Sequence, residues 1–156
     1  MSIFTENNHV VMGLAPVADA FATTVYSDIV NLRDWKHVTF IIIKGVGTTG
    51  TSTVTVQACD DVTPSNRTAV AFKYRACTAD DTWGALTSAT TAGFALTAGS
   101  AQLYAVEVDA QGIVSSGYGY CQLKLVEVVD AAVLAGILII LSEPRYARAT
   151  APTALA

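Results

Sequence analysis

Apolar positions along this chain recur with a period near two and nowhere sustain the three-to-four spacing of an amphipathic helix, so strands are predicted from about residue 25 onward. A first strand is expected over 25–32. Residues 37–44, reading HVTFIIIK, pack β-branched and aromatic side chains so densely that a strand with apolar cover on both faces is predicted. In 51–58, Val54, Val56 and Ala58 fall on one face and Thr53, Thr55 and Gln57 on the other, which gives one dry and one wet face. Between these two strands stand Gly45, Gly47 and Gly50, expected to supply the positive φ angles of a hairpin connection. No Lys-Ser or Lys-Thr pair and no helical pattern follows them, which argues against a phosphate-binding loop.

Beyond a polar loop containing Pro64, Val70, Phe72, Tyr74 and Ala76 alternate with Ala71, Lys73 and Arg75 and complete a second expected hairpin. Residues 78–101 form a long excursion rich in Thr, Ala, Ser and Gly. Its large anchors, Trp83 and Phe94, are expected to pin it against the sheet or a neighbouring subunit. Strands resume over 103–109 and 118–129 around a turn at 109–112, and 131–141 supplies the last apolar element, a strand or short buried helix. The pattern predicts an all-β chain, an antiparallel β-sandwich or jelly-roll-like domain of about eight strands. The sandwich is expected over 25–147, an extended N-terminal arm over 1–24 and a flexible C-terminal tail over 148–156.

Composition sharpens this picture, because 52% of residues are hydrophobic and only 14% are charged, against about 25% charged in ordinary soluble domains. Too few ionic groups exist to wet the exterior, so it is either Thr, Ser, Gly and Ala or covered by another protein. The nine Lys and Arg are scattered in a chain of net charge −4, leaving no basic run to track a phosphate backbone, and nucleic acid is not an expected partner. The apolar run 131–141 falls well short of the about 20 residues a membrane helix needs, so no membrane partner is expected. The first residues lack a basic region followed by an apolar stretch, and synthesis in the cytoplasm is expected.

Candidate chemistry is sparse. His9 and His37 are the two histidines, and the GxSxG, HExxH and GxGxxG patterns are absent, so no catalytic residue, cofactor or metal is expected and the chain reads as a non-enzyme. Cys59, Cys77 and Cys121 have no CxxC spacing; they read as buried thiols, with a Cys59–Cys77 disulfide as the alternative. Glu107 and Asp109, about 7 Å apart on one strand face, could form an acid pair but read more simply as solvated charges. Trp83, Tyr118 and Tyr120 could make a sugar-stacking platform, the basis of an alternative reading as a carbohydrate-binding module. Asn66-Arg67-Thr68 matches a glycosylation sequon but reads as a turn.

Residues 28–44 (DIVNLRDWKHVTFIIIK), 105–110 (AVEVDA) and 139–147 (IILSEPRYA) together resemble small virion structural proteins of tailed bacteriophages, among them capsid decoration, or cement, proteins. The likeness spans residues 26–147. It implies a β-sandwich subunit, self-associated as a trimer, that sits on the capsid surface of the virion and clamps adjacent copies of the major capsid protein. A tail or connector component is the neighbouring alternative. The terminal segments, weakly patterned on their own, would then supply contacts. Candidate interface residues are Val10, Val11 and Leu14 in the arm, Trp83 and Phe94 in the excursion, and Arg145 and Tyr146 before the tail.

Overall fold

A computed structural model of the chain describes residues 3–79 and 81–146. After a single helical turn, α1 (Phe4–Asn7), the chain is built of strands: β1 (His9–Val17), β2 (Thr24–Tyr26), β3 (Val30–Asn31), β4 (Trp35–Lys44), β5 (Thr51–Cys59), β6 (Arg67–Val70), β7 (Phe72–Cys77), β8 (Thr87–Ala89), β9 (Phe94–Ala95), β10 (Gln102–Asp109), β11 (Tyr120–Val129) and β12 (Ala135–Pro144). A short helix, α2 (Ala110–Ser115), links β10 to β11 where a turn was expected; the Asp109 carboxylate caps it by accepting the Gln111 N–H at 2.8 Å.

One sheet runs β1-β12-β4-β10-β7-β8, and the other runs β2-β11-β5-β6 with β3 and β9 paired at its margins. All pairings are antiparallel. Take β1, β2, β4, β5, β6, β10, β11 and β12 as positions one to eight. The sheets then read 1-8-3-6 and 2-7-4-5, the connectivity of a jelly roll, with β7 and β8 added beyond position six. The all-β sandwich expected from the pattern is therefore a jelly roll, with twelve strands among the described residues. The surplus over about eight comes largely from two- and three-residue strands, too short to carry an alternating pattern.

The core lies between the sheets, where Val38, Phe40 and Ile42 of β4 and Ile137, Ile139 and Leu141 of β12 face Val54 and Val56 of β5 and Leu123 and Leu125 of β11. β5 follows its expected alternation, with Val54, Val56 and Ala58 buried. Lys44 continues the inward phase of β4 to the end of the sandwich. There it is 1% exposed and donates from Nζ to the carbonyls of Gly50 and Thr97, at 3.1 and 2.6 Å. Burial holds its pKa below the ordinary 10.5.

Several expectations are corrected. β4 and β5 belong to different sheets, so Gly45, Gly47 and Gly50 form an arch between sheets and not a hairpin. None has positive φ; Gly47 and Gly50 instead let the chain pass close under Val133 and Ala131. The second hairpin is half present: β6 pairs with β5, but β7 crosses to the other sheet. Much of the expected arm is structural, because β1 pairs with β12 along its length and buries Val11. Cys59 and Cys77 stand in opposite sheets, and all three cysteines are buried thiols outside any disulfide. Burial pushes the Cys59 thiol up to about 11 and raises that of Cys121 as well. The tail expected over 148–156 lies outside the described residues.

Candidate interaction surface

The outer face of the β1-β12-β4-β10-β7 sheet departs most from an ordinary solvated surface, and strand register maps it row by row. One row reads Met12, Leu138, Ile41, Ala105, Arg75 from β1 to β7. The next reads Val10, Ile140, Thr39, Glu107, Lys73. On one side of these lie Gly136, Ile43, Leu103 and Cys77, and on the other Ser142, His37 and Asp109. The β1-β12 half is thus apolar and the β10-β7 half carries charge. Met12 is 57% exposed, Val10 44% and Ile43 40%, so three large aliphatic side chains stand open on a face whose sequence calls for cover. The opposite sheet presents Thr51, Thr53, Thr55, Gln57 and Lys124 outward with Tyr26 and Val126 beside them, a more polar surface.

At the junction of the two halves, His37 Nε2 lies 2.7 Å from Glu107 Oε2, which also accepts from Thr39 Oγ1 at 2.8 Å. The hydrogen bond to Glu107 is the main cause that raises His37 above 6.5, against the lowering effect of partial burial. The same bond holds Glu107 below 4.5. Glu107 is therefore not half of an acid pair with Asp109, whose carboxylate caps α2. Above this pair opens a groove of about 590 Å³, walled by Trp83 and Leu86 of the 78–101 excursion and by Lys73, Arg75 and Ile41 of the sheet.

The excursion is held by aromatic packing and one polar hub. Phe94 stacks on Tyr74 with ring centroids 3.9 Å apart and meets Phe72 and Tyr104. The Tyr104 hydroxyl accepts from the Thr97 N–H at 3.0 Å and donates to Gln102 Oε1 at 2.9 Å. Residues named as interface candidates separate accordingly. Val10 and Trp83 are open on this face, and Leu14 is half-buried against the core. Val11 and Phe94 are buried in the core of the subunit. Arg145 and Tyr146 are exposed at the far end of β12, where the Arg145 Nε donates to the Trp35 carbonyl at 3.2 Å. Trp83, Tyr118 and Tyr120 are not brought together: Tyr120 pairs with Cys59 in the other sheet, and Tyr118 packs on the core. Sequence reasoning missed Met12, Ile43, Lys73 and Arg75 as members of one surface, because register alone unites them.

Fold and surface together define a class, a jelly-roll β-sandwich with one open apolar sheet face. Among solved structures the chain is similar to SPBc2 prophage-derived protein YomS, with 12% identity over 88% of this chain and 94% of that one, at a TM-score of 0.48. It is also similar to VP2 of the infectious bursal disease virus subviral particle, with 10% identity over 88% of this chain and 42% of that one, at a TM-score of 0.27. At these values neither likeness carries an argument about function. No family model and no curated protein matches the chain.

Proposed function

We propose that this chain is a non-enzymatic structural subunit of a tailed-bacteriophage virion. In this reading it is a capsid decoration protein that self-associates, as a trimer, and binds the lattice of the major capsid protein at the outer surface of the shell. The observation that carries the reading is the open apolar half of the outer sheet face, Val10, Met12 and Ile43 with Leu138 and Ile140 beside them, on a chain with only 14% charged residues. A patch of this kind is rarely left uncovered on a monomer, and repetition over a lattice of identical sites multiplies a modest contact. The jelly roll adds support by analogy alone, since capsid domains are among its users.

The test is imaging of virus particles that carry the labelled chain. A decoration protein labels the whole shell. Label confined to one vertex would move the chain to the tail or connector, and no label on any particle would end the virion reading.

A further inference from the structure

We propose that the cationic groove on the β10-β7 side of the outer sheet face receives the acidic, apolar strand-end of a second copy of this chain, so that subunits join head to tail. The inference rests on the self-association proposed above and gives it two surfaces.

Lys73 and Arg75 alternate on β7, both exposed, and neither makes an ion pair or side-chain hydrogen bond among the described residues, although the Arg75 charge acts through space on Glu107. They stand beside Trp83 and Leu86, which are 40% and 45% exposed. A fitting partner must therefore bring carboxylates together with apolar side chains. The anions of the same face are already engaged, Glu107 by His37 and Thr39, and Asp109 by the start of α2.

Two symmetric pairings of this face with itself, strands aligned and the axis centred on β4, leave the cations unmatched. A two-fold axis along the strands lays β7 over the partner's β1, setting Lys73 and Arg75 on Val10 and Met12. An axis across the strands lays β7 on β7, cation against cation.

A surface of the required kind lies, among the described residues, at the end of the sandwich beyond Ala135. Val46 and Leu134 are neighbours there, joined by the Leu134 N–H to the Val46 carbonyl at 2.8 Å, and Val17 lies alongside through its pairing with Ala135. Val46 is 71% exposed and Val17 50%, and Val128 at the end of β11 is 63% exposed. Asp19 and Asp130 flank these residues, exposed and with no ion pair or side-chain hydrogen bond among the described residues. Because the two surfaces differ, the contact is heterologous, and it closes into a ring when the rotation between neighbours divides a full turn.

Charge exchange tests this by sedimentation equilibrium at physiological salt, with far-UV circular dichroism to establish that each variant is folded. The wild-type chain is expected as an oligomer, Lys73→Glu/Arg75→Glu as a single 16.3 kDa subunit, and the fourfold variant that adds Asp19→Lys/Asp130→Lys as an oligomer again. A wild-type chain that is monomeric, a double variant that keeps the wild-type mass, or a fourfold variant that stays monomeric overturns the inference. Pelleting with purified shells is measured in parallel. Restored mass without pelleting by any variant sinks the shell reading and leaves this contact standing; pelleting by the wild type with masses indifferent to charge reversal does the opposite.

Discussion

At Gly93 the backbone has φ +78°, and a Cβ there would run into the Val54 carbonyl oxygen; at Gly117, φ is +86° with open space around it. The two glycines separate conformational cost from steric cost. Gly117→Ala is expected to lose about 1 kcal/mol of stability from the left-handed backbone alone. Gly93→Ala adds displacement of β5 and is expected to lose about 3 kcal/mol. Urea denaturation measures both, and equal losses would contradict the close approach. The His37–Glu107 pair makes a pH prediction. A His pKa raised above 6.5 contributes stability in full below 6.5 and loses it as pH climbs through the raised value. A Glu pKa lowered below 4.5 contributes above 4.5 and loses it as pH falls through the lowered value. Coupling between His37→Gln and Glu107→Gln in a double-mutant cycle is thus expected to be largest between 4.5 and 6.5 and weaker at alkaline pH. A flat profile would dissolve the pair.

Among the elements, β1 decides how the N-terminal segment is to be understood. Asn7, Asn8 and His9, the short apolar stretch 10–14 and the turn signal at Pro16 make the sequence read as a loose arm, and in the structure two register shifts interrupt the strand. Pairing with β12 is non-local and leaves no local signal. Removal of residues 1–17 is expected to cost at least about 2 kcal/mol in thermal melting, because Val11 leaves the core and the β12 edge opens. An unchanged melting temperature would restore the arm. The same non-locality explains the Gly45–Gly50 arch: glycine spacing announces a change of direction but not whether the next strand pairs with the last. By contrast β4 and β5 were legible to within two residues, since dense β-branching and strict alternation are local properties. The candidate surface was legible only as a shortage of charge. Met12, Ile43, Lys73 and Arg75 lie on three strands far apart in the chain, and only their register brings them together.

For the whole molecule, the two outer sheet faces are unlike. One presents mainly Thr, Gln and Lys with Tyr26 and Val126 among them; the other exposes Val10, Met12 and Ile43 beside a cationic groove. Large aliphatic groups on an outer face contribute little to the fold of an isolated subunit, so their exchange for Thr separates assembly from stability. Met12→Thr/Ile43→Thr is expected to change folding stability by less than about 1 kcal/mol, because both residues remain exposed and Thr keeps a high strand propensity. The most direct measurement is cosedimentation of the purified chain with shells of the major capsid protein. The account predicts saturable pelleting of the wild-type chain and its loss in the folded Met12→Thr/Ile43→Thr variant. A wild-type chain that stays in the supernatant, or a variant that pellets as well as the wild type, would contradict it.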